Sequence, residues 1–239
     1  MKWDVIVQPD NLALYGEGVV TTLGLLCSSL LVGGVLALLM AIALTQRWAW
    51  LRGLVGIYTY IFRGTPLLIQ VYLIYYGLGQ LEWIQARWDE VWPWTYFKDP
   101  AFCAVLALSL NTAAYTAEML AGAIRETNPG EIEAAQAFGM SHWQVMWHVI
   151  LPSALRRSLP AYGNEVVMML QTTSLASAVP SLIDLTSAAS RVYAKFYLPF
   201  EAYLFAALIY LLMTFTLSGF FKLMENRYLA FSVPRSSTG

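Results

Sequence analysis

The sequence predicts an all-α membrane protein of about five transmembrane helices, and its composition and apolar runs support this fold class. Of the 239 residues, 58% are hydrophobic and only 12% are charged, whereas soluble domains carry roughly 45–50% apolar and about 25% charged residues. Several apolar runs approach the roughly 20 residues that a helix needs to cross about 30 Å of hydrocarbon. One of them, residues 19–44, contains no charged side chain. The surface that lacks charge is therefore expected to face lipid.

The whole chain, residues 1–239, is predicted to form one membrane domain with five crossings. The first and the last crossing are free of charge, and the fourth is the most polar. The second follows a break at Gly64-Thr65-Pro66, and residues 50–64 before this break are predicted to form a helix near the membrane interface. The predicted crossings are residues 19–45, 66–82, 101–124, 159–183 and 202–221.

Two of the predicted crossings carry small side chains at intervals of four residues. Such a stripe allows a neighbouring helix backbone to approach closely, as is common between membrane helices. We interpret both stripes as packing faces. They consist of Ser29, Gly33, Ala37 and Ala41 on the first crossing, and of Ala113, Ala117 and Ala121 on the third.

The distribution of basic residues predicts the orientation of the chain. With five crossings, the termini lie on opposite sides of the membrane. Most of the 14 lysines and arginines fall on the inner segments if the N-terminus is outside, in agreement with the positive-inside rule. The tryptophans at positions 83, 88, 92 and 94 then lie in an outer loop, as an aromatic belt would.

The predicted inner segment 125–158 has the signals of a short helix–turn–helix. Asn128-Pro129 can begin the first helix, and Gly139 can end it in a left-handed conformation. Ser141 can cap a second helix together with Gln144, and Leu151-Pro152 is expected to end that helix. A DNA-binding function is excluded because residues 142–151 contain no Lys or Arg to meet phosphates. The remaining interpretations are a structural elbow or a docking site for another protein.

This inner segment resembles the EAA loop of bacterial ATP-binding-cassette (ABC) importer permeases. The resemblance rests on Glu133-Ala134-Ala135, Gly139 and Leu151-Pro152 at the family's spacing, with Val149 where the family prefers Ile. It implies a type I importer permease whose loop couples to a cytoplasmic ATPase. The motifs at residues 62–68, 111–118, 159–165, 168–177 and 197–203 resemble permeases for histidine, arginine, ornithine and opines. The resemblance covers residues 15–231.

Polar residues within the predicted crossings are candidates for a substrate pathway. Asn111, Tyr115 and Glu118 share one helical face by their spacing, and Glu165, Met169 and Thr172 share another, beside Asn164. Two interpretations remain open for Glu118 and Glu165: they bound a cavity for a cationic amino acid, or they are buried structural acids. Arg63 is interpreted as an interface anchor.

The resemblance implies a transport function that depends on other subunits. The sequence has no Gly-rich phosphate loop ending in Gly-Lys-Ser/Thr, so ATP hydrolysis is expected from a separate ATPase, in two copies. A second permease, either a homologue or a copy of this chain, and a periplasmic binding protein are the other implied partners. We expect no cofactor, metal or catalytic residue, and a location in the bacterial inner membrane with a periplasmic N-terminus and a cytoplasmic C-terminus. The alternatives are an opine or another polar amino acid as substrate, an ion-coupled carrier, and a membrane scaffold.

Overall fold

The computed structural model of the chain describes residues 2–78, 81–87 and 94–229, and this part is a bundle of helices. Two long helices, α2 and α6, form its centre, and the remaining long helices pack around them. The helices are α1 (Trp3–Ile6), α2 (Pro9–Thr45), α3 (Ala49–Gly64), α4 (Leu67–Tyr72), α5 (Glu82–Gln85), α6 (Pro100–Arg125), α7 (Pro129–Ala137), α8 (His142–Val145), α9 (Leu151–Thr172), α10 (Leu185–Phe196) and α11 (Pro199–Tyr228).

The contact between α2 and α6 is made by the predicted stripes of small residues, and their interpretation as packing faces is confirmed. Every member of both stripes is buried. At Gly33, an added Cβ would collide with the Thr112 methyl group and lie 2.8 Å from the Ser109 carbonyl oxygen. The two backbones therefore approach as closely as glycine allows, which fixes α6 against α2.

The structure brings α10 and α11 against the first half of α2. The buried Asp184 caps α10, accepting hydrogen bonds from the amides of Thr186 and Ser187 at 3.0 and 3.1 Å. The amide of Leu185, the first residue of α10, donates to the Thr22 hydroxyl at 3.1 Å. These bonds satisfy donors at the N-terminus of α10 that have no partner within the helix itself.

Three of the described helices are long and apolar enough to cross a membrane, or up to four if the bent pair α3–α4 counts as one span. The three are α2, α6 and α11, and they contain the first, third and fifth predicted crossings almost completely. The polar α9 is not among them. The count of five crossings stays a prediction.

The described helix covers only the first part of the second predicted crossing, residues 66–82, whose extent stays a prediction. Helix α4 continues as a π-helical turn over Leu73–Gly77, and residues 79 and 80 lie outside the described part of the chain. At about 1.5 Å per residue, a helix over 67–77 spans only about 16 Å, half the hydrocarbon thickness. Its axis lies 106° from that of α3. The two helices together thus form a broken element.

The fourth predicted crossing, residues 159–183, overlaps α9 only in part and stays a prediction. Helix α9 begins at Leu151, and its end at Thr172 is followed by a 3₁₀ helix over Thr173–Ala178. The hydroxyl groups of Thr172, Thr173 and Ser174 each donate to the carbonyl oxygen three residues earlier, at 3.0, 2.6 and 2.7 Å. Hydroxyls that bond back to the backbone compete with the helical ladder, which explains why the α-helix stops there.

Candidate functional site

The break between α3 and α4 forms one wall of two adjoining cavities, and α6 and α9 form the others. The cavities measure about 350 and 450 Å³ and share Arg63, Tyr115 and Glu165. The first is lined by Arg63, Gly64, Thr65, Pro66, Leu67, Asn111, Tyr115, Glu165, Met168, Met169 and Thr172. The second is lined by Arg63, Tyr115, Glu118, Met119 and Glu165.

Two carboxylates face this space, and each has a threonine hydroxyl as partner. The buried Thr59 donates to Glu118 Oε1 at 2.6 Å. The hydroxyl oxygen of the buried Thr112 lies 3.5 Å from Glu165 Oε1, which is longer than an ordinary O–H···O hydrogen bond. A hydroxyl is neutral, so neither contact cancels the charge of a carboxylate. Glu165 therefore has the weaker hydrogen bond of the two carboxylates.

The positive group of the cavities is Arg63, next to the helix break. Its guanidinium carbon lies 5.5 Å from the centre of the Tyr115 ring, within range of a cation–π contact. The Tyr115 hydroxyl donates to the Arg63 carbonyl oxygen at 3.3 Å. The side chain is exposed in this chain, and it is free to reach a ligand in the cavity.

The structure brings most of the predicted pathway residues to this space. Asn111, Tyr115, Glu165, Met169 and Thr172 line the first cavity, and Glu118 lines the second. Asn164 is exposed on α9 and lines neither of the two, because it is one residue from Glu165 and projects about 100° away around the helix.

Sequence reasoning interpreted Arg63 as an interface anchor, whereas the structure places it at both cavities. The local signal that could have indicated this is the Gly64-Thr65-Pro66 break directly after Arg63. Broken helices in membrane proteins place irregular backbone where it lines a cavity. The break was recognised in the sequence, but its neighbours in space could not be.

The elbow, defined here as residues 126–150, has the helix caps that the sequence predicts. The Asn128 side chain accepts from the Gly130 amide at 2.9 Å, and Gly139 has a left-handed φ of 81°. At α8, Ser141 and Gln144 form a reciprocal capping box. A residue with a Cβ would adopt this positive φ at position 139 only at an energetic cost.

The predicted end of the second elbow helix at Leu151-Pro152 is wrong. After α8, the chain makes a π-helical turn over Met146–Ile150 and continues directly into α9. The π turn accommodates one extra residue in the helix. Pro152 therefore lies in the first turn of a new α-helical segment, where its missing N–H is tolerated. The predicted loop 125–158 therefore ends in the first two turns of α9.

The predicted coupling residues divide into exposed and buried ones. Glu133 and Ala134 are exposed, whereas Ala135 and Leu151 are buried at 7% and 5% exposure. Ala135 belongs to the apolar cluster that joins α7 to the bundle. Leu151 and Ala135 thus hold the elbow to the membrane helices, and a partner could contact Glu133 and Ala134.

Large apolar side chains are exposed on the same elbow. Phe138 is 88% exposed, and Trp143 and Trp147 are 54% and 49% exposed, beside the partly exposed Met140. Each of these residues lies on or next to an element that the caps fix in place. An exposed apolar group of this kind is typical of a protein–protein contact surface.

Within the described ranges, no group of three or more His, Cys, Asp and Glu side chains could hold a metal ion. Both cysteines of the sequence lie in this part, Cys27 exposed on α2 and Cys103 buried on α6, and both are free thiols. The polar groups that line the cavities belong to residues suited to electrostatic and hydrogen-bonding recognition, among them Arg63, Asn111, Glu118 and Glu165.

The helical bundle, its polar cavities and its elbow define a membrane transport component. The chain belongs to the family of binding-protein-dependent transport system inner membrane components, whose model matches residues 33–229. The chain is therefore a multi-pass inner membrane permease, and the fold class predicted from the sequence is confirmed.

Individual relatives share most of their length with this chain. The histidine/lysine/arginine/ornithine transport system permease protein HisM of Escherichia coli is 43% identical over 237 residues, which covers 98% of this chain and 96% of the relative. The nopaline transport system permease protein NocM of Agrobacterium fabrum is 42% identical over 205 residues, covering 86% and 83%. A crystal structure of an amino acid ABC transporter with histidines has 33% identity and a TM-score of 0.76, covering 90% of this chain and 94% of that one.

Proposed function

We propose that this chain is the permease subunit of an ABC importer for a basic amino acid such as arginine, ornithine or histidine. The observation that carries the proposal is the charge pattern of the cavities: Glu118 and Glu165 face them together with the single guanidinium of Arg63. A basic amino acid has the complementary pattern of two cationic groups and one carboxylate. The name of the HisM relative supports the same substrate class.

In this proposal, each charged residue recognises one end of the ligand. Arg63 binds the α-carboxylate, for which its planar guanidinium is suited. Glu165 binds the cationic side chain, because its contact with Thr112 is long at 3.5 Å and leaves it available. Glu118, which Thr59 holds at 2.6 Å, faces the α-ammonium group that all amino acids share.

The partners follow from the two surfaces that one chain leaves open. Arg63 and Tyr115 are exposed although they line the cavities, so a second, homologous permease is proposed to close the pathway. The exposed apolar side chains of the elbow are proposed to dock a cytoplasmic ATPase, present in two copies, which hydrolyses ATP for this non-catalytic subunit. A periplasmic binding protein is proposed to deliver the substrate.

The substrate assignment is tested by Glu165→Gln in the complete importer, reconstituted in vesicles. The substitution keeps the size and removes the charge, and a hydrogen bond to a charged group contributes about 1.5–3 kcal/mol. Uptake of arginine at limiting substrate should fall roughly tenfold to a hundredfold. The amount of assembled complex and the affinity of the separate receptor should stay unchanged.

Glu118→Gln is the matched control. It should reduce the uptake of every amino acid that the importer carries, because Glu118 faces the common ammonium group. Wild-type arginine uptake by an assembled Glu165→Gln complex would contradict the assignment of Glu165 as the counter-charge.

An opine is the second candidate substrate, because the nopaline permease is 42% identical. Competition distinguishes the two: arginine and ornithine should inhibit the uptake of labelled arginine by the importer, and nopaline should not. Strong inhibition by nopaline, with none by ornithine, would favour the second candidate.

The orientation with a periplasmic N-terminus and a cytoplasmic C-terminus is part of the proposal. Single cysteines are introduced at Thr95 and Gln136, both exposed, after Cys27 and Cys103 are replaced by Ala. In intact cells, an impermeant thiol reagent should label position 95 and leave position 136 unlabelled. Labelling of position 136 alone would reverse the topology.

A further inference from the structure

The break between α3 and α4 exposes backbone carbonyl groups inside a membrane bundle. Helix α3 ends at Gly64 and α4 begins at Leu67, with Pro66 between them and a bend of 106°. The last carbonyls of a helix have no partner within it, and proline has no N–H to offer. In hydrocarbon each unsatisfied carbonyl costs several kcal/mol. Side chains must therefore supply the missing donors.

Gln70 on α4 supplies most of them. Its amide nitrogen donates to the carbonyl oxygens of Phe62 and Thr65 at 2.8 and 3.1 Å, and it lies 2.8 Å from the Thr65 hydroxyl oxygen. The Thr65 hydroxyl in turn donates to the Ile61 carbonyl oxygen at 2.9 Å. Gln70 is only 6% exposed. One buried amide thus joins both sides of the break.

The other end of the same amide contacts a cavity residue. Gln70 Oε1 accepts a hydrogen bond from Asn111 Nδ2 at 3.0 Å, and Asn111 Nδ2 is also 3.5 Å from the Phe62 carbonyl oxygen. Both groups that meet the Asn111 nitrogen are acceptors. The nitrogen is therefore committed to the helix break, and Oδ1 is the amide atom of Asn111 that remains for the cavity.

We propose that Gln70 is a positioning residue whose bonds to the helix break serve to orient Asn111 so that its amide oxygen faces the cavity. This inference rests on the proposed function and deepens it. An oxygen at this place accepts a hydrogen bond from a substrate ammonium or guanidinium group, whereas an NH₂ group there would oppose a cation. Gln70 does not line either cavity itself, so it acts on the substrate through Asn111.

A double-mutant cycle of Gln70→Leu and Asn111→Ala tests this inference in the complete reconstituted importer. Each single variant is expected to lower maximal arginine uptake about tenfold. The double variant should also lie about tenfold below wild type, because Gln70 has nothing to orient once the Asn111 side chain is absent. A structural role independent of Asn111 would instead multiply the two losses to about a hundredfold, and that result would overturn the inference.

Two further measurements distinguish a positioning role of Gln70 from a general loss of structure. The concentration of arginine-loaded receptor that gives half-maximal uptake should stay at the wild-type value, because the receptor docks outside the membrane. Gln70→Glu keeps an acceptor for Asn111 and loses the donor to the Phe62 and Thr65 carbonyls. It should restore part of the uptake lost in Gln70→Leu, and a rate no better than that of Gln70→Leu would contradict orientation of Asn111. Gln8→Leu, an exposed glutamine before α2, is the control and should transport normally.

The proposed function and this inference fail in different ways. If the unmodified importer carries another amino acid and not arginine, the proposed substrate is wrong. The cycle is then measured with the amino acid that is carried. Multiplicative losses with either substrate reject the role of Gln70, and non-additive losses support it.

Discussion

The cavity wall, here the α3–α4 segment of residues 59–70, and the elbow both interrupt regular helices, but the two regions satisfy their free backbone groups differently. At the elbow, the partners are near in sequence: Asn128 caps two residues ahead, and Ser141 pairs with Gln144. At the cavity wall, Gln70 donates to carbonyls five and eight residues away, but the Arg63 carbonyl is met by Tyr115, 52 residues away on another helix. Water can complete the bonding at an exposed elbow, whereas a bundle in lipid must provide every partner itself.

The two regions also differ in which groups they leave for other molecules. The cavity presents charged and polar groups, and the elbow presents apolar ones, of which Phe138 is 88% exposed. A polar surface within the membrane suits a small charged ligand, and an apolar surface in water suits a protein. The comparison predicts that equivalent deletions will have larger effects at the cavity wall than at the elbow.

The largest effect in this comparison is expected for Thr59→Val at the cavity wall. Valine has nearly the same shape, but it removes the hydroxyl that donates to Glu118 at 2.6 Å. A buried hydrogen bond to a charged group contributes about 1.5–3 kcal/mol, so uptake and the stability of the extracted protein should fall by about tenfold and by several degrees. Vesicle uptake and thermal unfolding in detergent measure these two quantities.

Thr216→Val is the matched control for Thr59→Val. The Thr216 hydroxyl is exposed on α11 and bonds only to the Leu212 carbonyl of its own helix, at 2.8 Å. Its loss should change stability by less than about 0.5 kcal/mol. Equal effects of both substitutions would show that the hydroxyl at Glu118 has no special importance.

A smaller effect, on assembly alone, is expected for Phe138→Ala at the elbow. Because the side chain is 88% exposed, its removal should leave the unfolding temperature of the isolated chain unchanged. If it docks the ATPase, truncation of such an aromatic residue costs about 1–2 kcal/mol of binding, or about a tenfold loss of affinity. Co-purification of the ATPase at increasing salt and dilution measures the loss. Phe215→Ala, 66% exposed on α11, should retain the ATPase, and equal retention by Phe138→Ala would exclude Phe138 from the docking surface.

The elbow and the packing stripes could be predicted from the sequence because their determinants are local. Asn128, Gly139 and Ser141 act through neighbours two or three residues away, and the small residues on α2 and α6 have a simple helical period. The family resemblance and the fold class followed from patterns of the same kind. The tryptophans predicted in the outer loop at positions 88 and 92 lie outside the described residues, and only those at 83 and 94 can be located.

The cavity wall could be predicted only in part because its determinants are distant in sequence. The acids Glu118 and Glu165 stood out since charged groups within a membrane are costly. The helix break directly after Arg63 was a local signal for a cavity, but nothing local indicated that the two acids would share it or that Gln70 would bond to Asn111. The start of α9 was not predicted for a related reason. The π turn before Leu151 makes Pro152 acceptable, and such a turn has no simple sequence signal.

The smallest effect is expected for Ser141→Ala, the hydroxyl deletion at the elbow that corresponds to Thr59→Val at the cavity wall. Ser141 Oγ accepts from the Gln144 amide at a long 3.4 Å, in an exposed position where water can replace it. Loss of an N-cap side chain costs about 0.5–2 kcal/mol, and the long, exposed bond places this case near the lower value. We therefore expect only about a twofold loss of ATP-driven uptake, with Ser141→Gly close to wild type because glycine is tolerated at this cap. Uptake and ATPase rates measured side by side for Ser141→Ala and Thr59→Val would decide the comparison. A larger loss for Ser141→Ala than for Thr59→Val would mean that the elbow, and not the cavity wall, has the less replaceable polar contacts.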